Sequence, residues 1–341
     1  MNKNASTLLT AIACLSMMLS YGYAQNTKLA QTGFQFLSVT TDARPAAMGE
    51  AFTAISAQSS SIFYNPANVA RMDGRFDVAL SGNKWIADIQ HFTGALAFKP
   101  KQGVWGTFAV SMHFVDYGEF IGTVVDPNSD KGYLDTGTFT PSSYAVGIGY
   151  SKMLSDQFAF GIHAKYTSQS LGNSILPDPN NDGGTIVRDN NQGIMAFDFG
   201  TVYLTGFKSL AFAMSVRNFA SEVQYETEGF QLPLIFNIGF AMDIMDLTGV
   251  DKNVHSLMLS LDATHPRSAP EQIKIGGEYT FLRVLALRFG YAHNFDERGI
   301  TAGIGLQKDF GRKDGRISLD YAYTPFGLFD EVQRFSFRLS L

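Results

Sequence analysis

From Phe76 onward, apolar residues alternate one for one with small or polar ones. Phe108, Val110, Met112 and Phe114 interleave with Thr107, Ala109, Ser111 and His113; Phe236, Ile238, Phe240 and Met242 interleave with Asn237, Gly239, Ala241 and Asp243. A period of two marks a strand with two unlike faces. No helical stripe of comparable quality follows Arg75. The pattern divides into about 14 strands, expected near 76–84, 87–98, 103–115, 139–152, 157–170, 192–205 and 207–219. The remainder fall near 232–245, 254–264, 271–281, 283–293, 299–310, 315–324 and 332–341. Each is close to the roughly 9–11 residues that a tilted strand needs to cross a bilayer.

The connections carry a second signal. Short links at 99–102, 153–156, 282 and 311–314 alternate with longer ones at 116–138, 171–191, 220–231 and 265–270, rich in Gly, Asp, Asn and Pro. Outer-membrane barrels have short periplasmic turns and long extracellular loops. An even strand count returns the chain to its starting side, so both ends of the barrel are expected in the periplasm. The fold class read here is all-β: a transmembrane antiparallel β-barrel over residues 76–341. A soluble sandwich also alternates, but it does not carry so many strands with so few charges in one domain.

Composition sharpens this. Only 17% of the 341 residues are charged while 45% are hydrophobic, and Phe (29), Tyr (14) and Gly (33) are abundant. The single long apolar run lies at the N-terminus, so a polytopic helical membrane protein is excluded. Lys3, the apolar stretch Leu8–Leu19 and Gly22-Tyr23-Ala24 have the layout of a cleavable signal peptide, 1–24. Cutting after Ala24 removes Cys14, the only cysteine, leaving neither a disulfide nor a thiolate site. Export to an outer membrane is expected, with outer-membrane lipid as a partner. A net charge of −5 offers no footprint for nucleic acid.

Residues 25–75 read differently, being rich in Ala, Gly and Ser. They are expected to fold into the barrel mouth as a hatch, with Phe34, Phe36, Arg44, Pro45, Gly49, Asn65 and Pro66 as its key residues; Asn65-Pro66 is a turn signal. Here a family resemblance emerges. Gly33-Phe34-Gln35-Phe36-Leu37, Ala43-Arg44-Pro45-Ala46-Ala47-Met48-Gly49, Asn65-Pro66-Ala67 and Trp85-Ile86-Ala87-Asp88-Ile89 occur in that order. Val115-Asp116-Tyr117-Gly118-Glu119 and Phe197-Asp198-Phe199-Gly200 follow. Together they resemble the PorV/PorQ family, although Asn68 stands where Gly often follows Asn-Pro-Ala. The resemblance implies a FadL-like barrel that serves type IX protein secretion without catalysis. It would act as a carrier binding secreted cargo proteins with C-terminal signal domains, or as an assembly partner of other secretion-machinery components. Two rival functions are a FadL-like transporter of hydrophobic small molecules and a structural anchor for a surface complex.

Three groups of residues are candidates for function. On the inward face, Lys165, Arg217, Lys274, Arg288 and Arg338 accompany Asp198, Asp243, Asp262, Glu278 and Asp320, and such charges are expected to pair as an internal staple. Loop 116–138 holds Tyr117, Phe120, Ile121, Val124, Val125, Tyr133 and Leu134, more apolar groups than a solvated loop needs, which marks a partner-binding surface. Asp178, Asn180, Asp182 and Asp189 match the start of a calcium loop, and Asp126, Asn128 and Asp130 repeat its spacing. The same residue types are ordinary turn formers, so no metal or cofactor is expected. No nucleophile-elbow, zinc-hydrolase or phosphate-loop motif is present, and His91, His163, His255, His265 and His293 show no ligand spacing.

Overall fold

The computed structural model describes residues 32–126, 129–177, 184–224, 228–295, 299–311 and 315–341. The expected signal peptide lies outside these residues. Fourteen antiparallel strands close into one barrel, each paired with its neighbours in sequence and the first with the last. They are β1 (Phe76–Lys84), β2 (Gln90–Phe98), β3 (Thr107–Asp116), β4 (Ser142–Met153) and β5 (Phe158–Pro177). Next come β6 (Thr185–Leu204), β7 (Ala211–Phe219), β8 (Ile235–Asp243), β9 (His255–Pro266) and β10 (Gln272–Phe281). The last are β11 (Leu285–His293), β12 (Ile300–Phe310), β13 (Gly315–Phe326) and β14 (Phe329–Ser340). Closure runs from Asp77↔Ser340 to Lys84↔Gln333. It leaves no unpaired edge in the barrel, the condition for placing strands in lipid.

The alternation is used inside out relative to a soluble protein. Along β3, Thr107, Ala109, Ser111, His113 and Val115 are buried while Phe108, Val110, Met112 and Phe114 are exposed. The greasy face points to lipid and the small or polar face into the lumen. The hydrophobic core therefore lies inside the barrel, against the N-terminal segment. Met48, Phe52, Ile55 and Tyr64 pack on Ala159, Val202, Ala211, Ala213 and Ala241 of the wall. Ile62, Val69 and Met72 pack on Ala95, Ala97 and Ala109. Small wall residues make room for the segment, and its large side chains fill the space.

Three sequence expectations shift. Residues 86–88 form a 3-10 turn, so β2 begins at Gln90 rather than near 87. The expected loop 171–191 is largely strand, because β5 and β6 run on past a register shift between Ser170 and Asn173. Loop 116–138 contains a two-stranded hairpin, Phe120–Val125 with Tyr133–Phe139, separate from the barrel sheet. Phe120, Ile121, Thr123, Val124 and Val125 face Tyr133, Leu134, Thr138 and Phe139, and β-branched and aromatic residues of this kind can build a hairpin in a segment where turn residues alone suggested coil.

Candidate functional site

Two regions bear on function: the seat of the N-terminal segment in the lumen, and the end of the barrel that carries the long connections.

The segment is held by its own local structure. Asp42 caps the short helix Ala43–Ala47, accepting from the Arg44 N–H at 3.1 Å. This aims the Arg44 guanidinium at the wall, where Nε and Nη2 donate to the two oxygens of Glu278 at 2.8 and 2.7 Å. Pro45 is buried within that helix. Gly49 follows at φ +62°, a conformation that disfavours any Cβ, and a Cβ there would also meet the Tyr291 backbone at 2.8 Å. Further on, Pro66 opens the 3-10 turn Pro66–Arg71, and the Asn65 side chain accepts from the Ala67 N–H and donates to the Thr53 carbonyl. Asn65 lies directly against Gly200 of the wall, where any side chain would displace it. Phe34 and Phe36 pack with Val115, Ala145, Val223 and Leu232 near the mouth. Tyr64 is enclosed by the segment and wall; burial first, and the negative charge of Asp42 second, push its hydroxyl well above its ordinary value of 10.0.

The lumen charges resolve into separate clusters rather than one network. Glu278 also accepts from Arg288 Nε at 2.5 Å, and Arg288 reaches Asp320 at 2.7 Å. Lys165 donates to Asp198 at 2.9 and 2.8 Å, and the His163 ring meets the same carboxylate at 2.8 Å. Lys274 pairs with Glu50, Arg338 with Asp42, and Asp262 accepts the Phe52 and Thr53 N–H groups at 2.8 Å each. The N-terminal segment thus supplies a partner to most of these clusters. Two expected members fall elsewhere. Asp243 caps the 3-10 turn Ile244–Leu247 and accepts from Ser256 at the turn end of the barrel. Arg217 lies over the Tyr64 ring and donates to the Leu37 carbonyl at 3.4 Å.

Sequence reasoning misses several of these partners. Asp42 carries a helix-cap signal immediately before Ala43-Arg44-Pro45. Glu50, Asp77 and Arg334 carry none: Asp77 holds the Ser59 N–H at 2.9 Å, and the fully buried Arg334 donates to the Thr40 carbonyl at 2.7 Å. A further constellation arises only in three dimensions. Ser111 Oγ lies 2.8 Å from His163 Nε2, whose Nδ1 meets Asp198, the order of groups in a nucleophile relay. All three are buried, Gly147 leaves no space beside the imidazole, and Asp198 is shared with Lys165. This arrangement has the character of a wall-stiffening network.

At the other region, the connections 85–89, 117–141, 178–184, 220–234, 267–271, 294–299 and 327–328 all leave the same end of the barrel. A cavity of about 470 Å³ opens there, its lining including Phe36, Trp85, His91, Tyr117, Phe295 and Phe326. The Tyr117 hydroxyl reaches Ser143 at 3.2 Å; burial raises its pKa, which that bond only partly offsets. Of the loop residues singled out, Tyr117 belongs to this cavity, whereas Phe120, Ile121, Tyr133 and Leu134 are exposed on the hairpin and Val124 is half-buried there. Asp189 lies in β6 opposite Asn173 rather than in a loop, and Asp178, Asn128, Asn180 and Asp182 lie outside the described residues. Among the described residues, no group of three His, Cys, Asp or Glu side chains is placed to hold a metal ion.

Comparison with known proteins agrees with this architecture. The toluene transporter TodX of Pseudomonas putida superposes with a TM-score of 0.56 at 12% identity, over 92% of this chain and 98% of its own. The Ralstonia pickettii toluene transporter TbuX gives 0.54 at 12% identity, over 88% and 98%. A Pseudomonas aeruginosa FadL homologue gives 0.50 at 13% identity, over 88% and 98%. At such identities the likeness is one of fold: a FadL-like outer-membrane barrel. No curated protein matches the chain significantly. The family model described as type IX secretion system protein PorV matches residues 23–244, which span the N-terminal segment and the first eight barrel strands. This chain, an outer-membrane barrel of FadL-like fold, belongs to the PorV family of type IX secretion system proteins.

Proposed function

We propose that this protein is a non-enzymatic docking scaffold of type IX secretion, receiving secreted proteins with C-terminal signal domains, or components of the machinery, on its long connections. By the rule of short periplasmic turns, the end bearing 117–141 faces outside. The N-terminal segment acts as a hatch that fills and stiffens the lumen. The observation that carries the docking reading is the hairpin 120–139. It stands off the barrel with Ile121 68%, Val125 81% and Leu134 52% exposed, an apolar surface that water disfavours and a partner would cover. The test replaces 119–139 with a short Gly-Ser turn and isolates the tagged barrel from gently solubilised outer membranes. Retained membrane assembly with loss of co-purifying secreted or envelope proteins is the expected result. Unchanged co-purification would sink the reading.

A second reading, uptake of hydrophobic solutes, is favoured by one feature, the aromatic cavity at the mouth. Beneath it the lumen holds the Arg44–Glu278–Arg288 and Lys165–Asp198 clusters, a poor path for an apolar solute. Toluene uptake by proteoliposomes above the protein-free rate would revive transport.

A further inference from the structure

The hairpin at residues 120–139 is a two-stranded sheet with no third strand among the described residues. Such a ribbon is marginal in water by itself, because each strand keeps one row of backbone groups unpaired. Its two outer edges are unlike. The strand Tyr133–Phe139 is interrupted by the register shift opposite Gly122 and Thr123, and the Phe139 ring packs on Gly172 of the neighbouring β5–β6 hairpin. The strand Phe120–Val125 is regular. The Asp126 N–H donates inward to the Gly132 carbonyl at 3.1 Å. Backbone groups alternate sides along a strand, so the N–H and C=O of Val125, Thr123 and Ile121 face away from the hairpin. Their side chains are exposed as well.

Charge narrows the occupant. Residues 116–139 carry Asp116, Glu119, Asp126, Asp130 and Asp135 against Lys131 alone. The same sign extends over this end of the barrel: among the described residues, the connections there hold eight acidic and two basic residues, whereas the turns at the opposite end hold three acidic and five basic. An acidic rim around an apolar edge repels acidic strands and steers basic ones.

We propose that the outer edge of Phe120–Val125 is a site of strand addition for an extended partner segment that alternates basic and apolar residues. Backbone bonds to Ile121, Thr123 and Val125 would supply the pairing, the apolar side chains the contact and the acidic rim the selectivity. This rests on the docking reading above and names the chemistry of the partner at that same surface. The full-length barrel in zwitterionic nanodiscs is titrated, by fluorescence anisotropy, into a labelled nine-residue peptide of alternating Val and Lys, and into its Val/Glu counterpart. Binding of the Val/Lys peptide only, weakened by salt, is expected. Val125→Pro removes one outward N–H without touching the hairpin's own ladder and lowers affinity at least about tenfold, whereas Val125→Thr stays within about twofold. Glu119→Gln with Asp135→Asn weakens it about fivefold. Limited proteolysis at Lys131 that matches the parent shows that the hairpin persists in Val125→Pro. Equal binding of both peptides, no binding of either, or indifference to Val125→Pro overturns strand addition. If Val125→Pro still captures native partners from membranes while the 119–139 replacement does not, docking stands and strand addition falls.

Discussion

Glu278 receives hydrogen bonds from Arg44 on the N-terminal segment and Arg288 on the wall, so its charge ties the segment to the barrel. Glu278→Gln takes the carboxylate from the half-buried Arg44 and leaves the buried Arg288 with Asp320 alone, and the expected cost is about 2–3 kcal/mol. It would be read as a lower urea midpoint for the loss of heat-modifiable gel mobility. Tyr64 gives a pH test with a definite sign. Its raised pKa means that its neutral form stabilises the folded state fully below pH 10, and that this contribution is lost as pH climbs from there toward the raised value. Tyr64→Phe should flatten the stability profile above pH 10. Ser111 is expected to stay unlabelled by a fluorophosphonate probe; labelling lost in Ser111→Ala would reopen the question of catalysis.

Individual elements differ in how much the chain announces them. The alternation over β3 and β8 is enough to place both strands and their lipid-facing sides, because period two is a local property of consecutive residues. The hairpin at 120–139 reads in the chain as an apolar loop: its exposed side chains are legible, but its pairing needs a turn and a register shift that composition does not reveal. The N-terminal segment shows a third case. Its small residues and its Asn-Pro turn are visible, but the wall glycine that admits Asn65 lies 135 residues away. Gly200→Val should unseat the segment while leaving strands assembled. Trypsin would then cut at Arg71 in a variant that still shifts on boiling; continued protection of that site would count against this packing.

For the molecule as a whole, closure is what makes the architecture stable in lipid, and it depends on β1 meeting β14 across the full length of the chain. Truncation after Asp330 removes most of β14, leaving two unpaired edges and no heat-modifiable species in the outer membrane. The charge asymmetry belongs to this scale too, since it becomes a property of one end only when alternate connections are gathered there. The sequence by itself determined the barrel class, a strand count near 14 and the identity of the lipid-facing residues. Each of these follows from local periodicity and from the length needed to cross a bilayer. Only the tertiary structure decided which charges pair, that Asp42 and Glu50 of the N-terminal segment complete clusters on the wall, and that Arg217 and Asp243 stand apart from them. Those outcomes depend on distances between residues far apart in the chain, and a hydrogen-bonded ion pair forms only where its partners come within about 4 Å.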